Sequence, residues 1–357
     1  MILTNCPACA APLAHDAPRG VRCHARYCTA TCQHDHWRRG HKQMCKKIHR
    51  GGNAEQYHAD KKYKEAVAEA VEACADDTKG QTCYICTQAL HWKTKEGLVR
   101  GCACRGTAGF AHVSCLAEQA KILLAEAEGN NLDLKVMNER WRRWDACSLC
   151  KQDYHGVVRC ALGWACWKTY VGRPEKHFYR RSAMNVLGNG LSLADHHDDA
   201  LSVRETDLSM KRRLGASEHN ILVAQSNLAN TYEKLGRLDE ALRVRQEVYS
   251  GWLKLVGDEH EMTLQTANNY ASTLVILERF EEAKSLLRKT TRVARRVLGE
   301  GNRVTLKMRM KYAEALYRAD GAPLDDLREA VTIGEDTARI ARRVLGGAHP
   351  LTVNIEG

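Results

Sequence analysis

Eight residues between positions 83 and 150 have the types and the spacing to hold metal. In order they are Cys83, Cys86, Cys102, Cys104, His112, Cys115, Cys147 and Cys150. Cys83/Cys86, His112/Cys115 and Cys147/Cys150 each enclose two residues, and Cys102/Cys104 encloses one. A tight turn lets such a pair reach one tetrahedral zinc at roughly 2.0–2.3 Å, but a pair alone cannot close a site, so four pairs combine as two sites. The interleaved solution joins the first pair to the third and the second to the fourth. A further group of the same kind opens the chain: Cys6, Cys9, Cys23, Cys28, Cys32, His41 and Cys45.

The residues between the ligands carry a resemblance. Cys102-Ala-Cys104-Arg-Gly-Thr-Ala-Gly-Phe-Ala-His112-Val-Ser-Cys115-Leu116 and the ending Cys147-Ser-Leu-Cys150-Lys151 resemble the RING-CH (RINGv) zinc domain. The resemblance implies a cross-braced two-zinc module that recruits a ubiquitin-conjugating enzyme and acts as a RING-type ubiquitin ligase. It implies that Ile85 and Leu149 form the apolar contact for that enzyme, and that Lys151 bridges enzyme and ubiquitin. The chain departs from the pattern at Gln119, where the family usually has Trp, and in a long insert rich in Ala, Glu and Leu from Leu116 to Ala146. Fold does not dictate function, so a zinc fold kept as scaffold is the alternative.

At the front, Tyr27-Cys28-Thr-Ala-Thr-Cys32-Gln33, followed by Trp37, His41-Lys42 and Cys45, resembles a MYND zinc finger. That implies two zinc ions and a protein-interaction role, typically toward short proline-containing peptides. One zinc would take Cys6, Cys9, Cys28 and Cys32. The other has Cys23, His41 and Cys45, with Gly20 where the family has a cysteine; His24, His15 or Asp16 could complete it, or the site could be weak, open or empty. His34, His36 and His49 read as solvated side chains.

The composition bounds the rest. The chain has 357 residues, 16 of them cysteines, enough for two or three domains. It opens with no basic region followed by an apolar run, so the cysteines read as zinc ligands in a reducing compartment, cytosol or nucleus. No run approaches the roughly 18–20 apolar residues of a membrane span. The formal charge is +11; thiolates in filled zinc sites cut it to about half. No base-reading motif accompanies it, so nucleic acid is not an expected primary partner.

The elements that position these residues are mainly helical. Residues 1–50 form the first zinc module. Residues 51–80 link it through an amphipathic helix in which Tyr63, Ala66, Val67, Ala70, Val71 and Cys74 recur at three- and four-residue steps. Residues 81–155 form the second zinc module and 156–175 a linker, where Cys160 and Cys166 sit among Trp164, Trp167 and Tyr170 as packing residues. From 176 to 357 the chain repeats. Leu214-Gly215, Val256-Gly257 and Leu298-Gly299 recur every 42 residues, and Leu345-Gly346 follows after five more. Each unit predicts two helices around a turn such as Gly236, with Ala229, Ala241, Ala271 and Ala283 allowing close approach. These repeats look like tetratricopeptide repeats of the kinesin-light-chain type. The resemblance implies a concave peptide-binding face on which Asn227, Asn230 and Asn268 hold a peptide backbone through amides that both donate and accept. Arg237, Arg243 and Arg245 read as a solvated face able to favour acidic peptides.

The expected architecture is therefore mainly α: two small cross-braced zinc modules followed by a tetratricopeptide-like solenoid, holding three to four zinc ions. No nucleophile–base set, phosphate loop or paired-carboxylate site is present in the sequence. Catalysis would be by positioning: a ligase-like protein that recruits a conjugating enzyme and selects protein or peptide substrates through its repeats and MYND finger. The alternative is a noncatalytic adaptor.

Overall fold

The computed structural model describes residues 6–9, 11, 13, 17–319 and 321–356. Two compact units divide the chain, residues 1–214 and 215–357. Among the described residues there are fifteen α-helices and no strands, only three isolated antiparallel bridges: Arg19 with Arg26, Val99 with Ala111, and Ala146 with Asp153.

In the first unit, α1 (Ala30–His36) starts on Thr29, whose side chain accepts from the Cys32 amide, and runs through a π turn (Trp37–His41) into α2 (Lys42–Arg50). A glycine at φ 115° kinks this turn at Gly40. Asn53 caps α3 (Ala54–Ala73). The apolar face of α3, with Tyr63, Ala66, Val67 and Ala70, enters the same core as Cys83, Leu98, Val99 and Phe110. Cys74, just beyond it, is buried there as well.

Next come α4 (Val113–Gly129), α5 (Leu134–Trp141) and α6 (Gly156–Tyr170). The stretch 156–175, expected to link, instead carries the most enclosed helix of the unit. From Val158 to Trp167 every residue of α6 is buried, including Arg159, Cys160 and Cys166. A helix apolar on all sides has no solvent face to lose; α6 packs on α3, α4 and α7 (Phe178–Leu193). Gly101 is where the zinc module meets it: a Cβ there would lie 2.5 Å from Val158 Cβ, and the His155 amide donates to Gly101 O at 2.9 Å. α8 (His197–Arg213) closes the unit against α7. Arg204 on α8 is 3% exposed and donates to the Asn185 and Asn189 amide oxygens.

The second unit is an array of antiparallel helix pairs. α9 (Glu218–Lys234) pairs with α10 (Leu238–Val256), α11 (Glu261–Ile276) with α12 (Phe280–Val297), and α13 (Arg303–Tyr317) with α14 (Leu324–Leu345); the short α15 (Pro350–Glu356) packs on α14. Ala229, Ala241, Ala271 and Ala283 are fully buried at the crossings, and a Cβ on Gly251 would meet the Leu222 side chain at 2.5 Å. Arg245 does not join a solvated face. It is 6% exposed and reaches Glu233 at 2.7 Å, Asn269 O at 2.7 Å, Thr273 Oγ1 at 2.5 Å and Asn230 Oδ1 at 3.1 Å. These four acceptors offset the burial of the two terminal guanidinium nitrogens, while the buried Nε has no partner among the described residues.

Candidate functional site

Two of the ligand-bearing turns share one geometry. In the turn at Cys83, the Cys83 amide donates to Gln88 O (3.0 Å), the Thr87 amide returns to Cys83 O (2.8 Å), and Thr87 sits at φ 60°. The turn at Cys147 repeats it with Gln152 O (2.9 Å) and the Lys151 amide (3.1 Å), Lys151 at φ 62°. In both, the amide two residues on, Ile85 or Leu149, donates to the first sulfur at 3.4 Å. Such amides stabilise a thiolate.

These turns bring together four sets whose ligand atoms lie within 4.8 Å of one another: Cys83, Cys86, His112 and Cys115; Cys102, Cys104, Cys147 and Cys150; Cys6, Cys9, Cys28 and Cys32; and Cys23, His41 and Cys45. The pairs of the second module interleave, first with third and second with fourth. Val99 and Ala111 exchange both hydrogen bonds of their bridge (2.8 and 3.1 Å), which places the Cys102–Cys104 loop beside His112. Tyr84 N donates to Phe110 O at 2.9 Å.

His112 presents Nδ1 to Cys86 Sγ (3.3 Å) and Cys115 Sγ (3.6 Å), and its Nε2 lies 3.4 Å from Ala89 O. That carbonyl can take the Nε2 proton and leave Nδ1 free for metal. Burial holds the His112 pKa below the usual value, so the ring is in the neutral form a ligand needs. His112 and Cys115 are set by the start of α4, where Glu96 accepts from the Ser114 amide (2.7 Å) and hydroxyl (2.8 Å) and Tyr63 Oη meets Ser114 Oγ at 3.0 Å. A carboxylate there also suits the helix dipole.

Each four-residue set contains one thiol predisposed to ionise. Burial opposes ionisation at Cys6, but the amides of Cys28, Ala8 and Cys9 outweigh it and bring the pKa down to about 6. At Cys150, burial is outweighed by the Gln152 amide and neighbouring thiols, giving about 7. Cys83 is lowered in the same way, burial being overcome by the amides of Cys86, His112 and Ile85. Cys102 and Cys104, of the set with Cys147 and Cys150, close on Gly109. It sits at φ +86°, and a Cβ would stand 2.7 Å from Cys104 Cβ and 3.1 Å from two sulfurs.

At the front, Cys9 Sγ is 3.5 Å from Cys28 Sγ and Cys28 Sγ 3.3 Å from Cys32 Sγ. Cys23 Sγ is 3.2 Å from His41 Nε2, and Cys23, His41 and Cys45 are all buried. His24 does not join them; His15 and Asp16 lie outside the described residues. Not all three surface histidines are simply solvated. His36 is half-buried, stacks on His41 at 4.5 Å and bonds Tyr27 Oη at 3.0 Å, and the exposed His49 meets Arg22 O at 2.7 Å.

Ile85 is half-buried, Leu149 is 48% exposed, and the exposed Lys151 donates from Nζ to Ser148 O at 2.7 Å. Gln119 is half-buried on α4. In the second unit, Asn227 is half-buried and Asn230 exposed, with its oxygen taken by Arg245; Asn268 is 9% exposed with a buried Oδ1 that has no partner among the described residues.

Sequence reading missed one loop. At His91 the same turn recurs: His91 N to Glu96 O (3.0 Å), Lys95 N to His91 O (2.9 Å), Lys95 at φ 59°. Here no metal pair exists. Thr94 supplies its amide (3.1 Å) and hydroxyl (2.8 Å) to His91 Nδ1, and the loop displays Trp92, 68% exposed. The two-residue spacing of His91 and Thr94 is the signal that could have found it.

Residues 83–131 match the RING-variant domain, and residues 220–296 match the tetratricopeptide repeat. The chain thus carries a RING-variant domain followed by tetratricopeptide repeats. Among solved structures, a Podosopora anserina protein with nearly identical kinesin-light-chain TPR-like repeats is similar at 18% identity and TM-score 0.46, over 66% of this chain and 98% of that one. A second structure of these repeats gives 19% and 0.45, over 65% and 97%. BtubC (BKLC) from P. vanneervenii gives 15% and 0.42, over 65% and 74%. No curated protein matches the chain. Among the described residues, no helix is long and apolar enough to cross a membrane.

Proposed function

We propose that this is a RING-CH-type ubiquitin ligase that recruits a ubiquitin-conjugating enzyme through its second metal module and selects protein substrates through its repeats, aided by a MYND-type first module. It would work in cytosol or nucleus. The Cys/His sets suit zinc, since thiolates and a neutral imidazole at this spacing are its preferred donors. Three sets would bind firmly and the three-ligand set more weakly. The ion would brace the turns; no side chain here needs to react, because the conjugating enzyme carries the activated ubiquitin.

The observation that carries this reading is the matched pair of turns at Cys83 and Cys147. They set Ile85 and Leu149 at equivalent positions, each with its amide on a ligand sulfur. An enzyme-docking face built that way keeps its shape only while metal is bound. Autoubiquitination across a broad panel of conjugating enzymes tests it: chains form with the native protein and are lost in Ile85→Ala with metal content unchanged. Absence of chains across the panel rejects it.

A noncatalytic adaptor is the second reading. Two observations favour it: Gln119 stands where the family has Trp, and the Lys151 ammonium is folded back on Ser148 O. Pull-downs that recover peptides or scaffolds but no conjugating enzyme would support that reading.

A further inference from the structure

The turn geometry recurs where no ligand stands. The Gly20 amide donates to Ala25 O (2.8 Å), the His24 amide returns to Gly20 O (3.0 Å), and His24 sits at φ 58°. The flanking bridge matches as well: Arg19 pairs with Arg26 as Ala146 pairs with Asp153, one residue before the first ligand position and six after it. In this register Gly20 takes the place of Cys83 or Cys147, and Cys23 the place of Cys86 or Cys150. The turn is the same, but its first position carries no side chain.

The space for that side chain is there. A Cβ on Gly20 would meet nothing nearer than Cys23 Sγ and Ala25 O at 3.7 Å and Tyr27 Cε2 at 3.8 Å, which is ordinary contact. At Gly109, beside a complete set, the same addition collides with ligands. In the His91 loop, which has the same turn without a metal pair, the side chains bond each other. At Gly20 they do not. Cys23, His41 and Cys45 still converge, and all three are buried.

We propose that Cys23, His41 and Cys45 hold a zinc ion through three protein ligands, and that its fourth position, on the Gly20 side, takes a small exchangeable donor: water, replaceable by a small thiolate. A tetrahedral ion with three protein ligands keeps one position for an external group. Gly20 and Tyr27 are buried, and the side chain absent at Gly20 stands where Cys83 and Cys147 each supply a thiolate, so a small thiolate is the donor that suits the position. In the exchange one zinc–oxygen bond breaks, one zinc–sulfur bond forms, water leaves, and the thiol proton goes to solvent. This makes the first module a binder of small thiols, independent of any ligase activity.

The test replaces zinc by Co2+ in the full chain and adds 2-mercaptoethanol. We expect four cobalt ions per chain, with thiol adding one sulfur-to-cobalt charge-transfer increment. Cys23→Ser removes the increment. Gly20→Cys shows it without added thiol, ceases to respond, and slows chelator extraction of the fourth ion by at least the roughly 10–100-fold that a lost outer-shell partner costs a site. His15→Ala and Asp16→Asn leave the thiol response unchanged. The proposal is overturned if native protein binds only three cobalt ions, if thiol produces no increment, or if His15→Ala or Asp16→Asn weakens the fourth ion tenfold. Should Gly20→Cys misfold, the native thiol response and its loss in Cys23→Ser decide the matter.

Discussion

Tyr84 and Ser148 join hydroxyls at 3.0 Å, and each is the residue just after the first cysteine of its turn. The Cys83 and Cys147 turns, one from each of two Cys/His sets, are therefore tied directly, independent of any ion. Tyr84→Phe should cost about 0.5–1.5 kcal/mol, the net worth of one hydrogen bond. Chemical denaturation of the metal-loaded protein would measure it, with metal content unchanged. A neutral result would mean that metal alone sets the distance between the turns.

Gly109→Ala should empty the Cys102, Cys104, Cys147 and Cys150 set. Both the φ of +86° and the 2.7 Å approach to Cys104 Cβ exclude a side chain; left-handed strain alone costs about 1–3 kcal/mol. Mass spectrometry under nondenaturing conditions should show one ion fewer. Gly129→Ala, with nothing within 4 Å, is the control that keeps full metal.

Chelation should act on one part of the chain only. All 16 cysteines lie at or before position 166, and the helices after 215 hold no ligand set among the described residues. Metal removal from the 357-residue chain should expose residues 6–155 to protease and leave 215–357 protected. Equal digestion of both parts would contradict this.

Arg245→Ala should destabilise the repeats by about 3 kcal/mol, the lower end for breaking a buried ion pair. Water partly reaches Glu233, whose side chain is 29% exposed. Arg243→Ala, on an exposed position, should change stability by less than about 0.5 kcal/mol. Thermal melts of the two variants separate the cases.

The contrast between these arginines marks the limit of reading from sequence. Cysteine and histidine spacing was legible because coordination is short-range and needs pairs, and the 42-residue repeat was legible because each helix pair must bury the same face. Arg204 and Arg245 were not, because a charged residue at helical spacing reads as solvated unless its acceptors are known, and those come from Asn185, Asn189, Asn230 and Asn269, on other helices. α6 read as a linker because a helix buried all round has no periodic face to announce it. The His91 turn stayed hidden because its ends are His and Thr, which do not spell a metal pair, although the backbone has the same form.

The contact of Gly101 with Val158 reaches further than packing. Excising residues 83–155 as a portable cassette would strip away the helical floor on which the ligand loops rest, so a transplanted fragment should lose its ions sooner than the intact protein. Any force that tilts α6 is handed straight to the Cys102 loop one residue away, which makes the ligand loops and their supporting helices a single mechanical part.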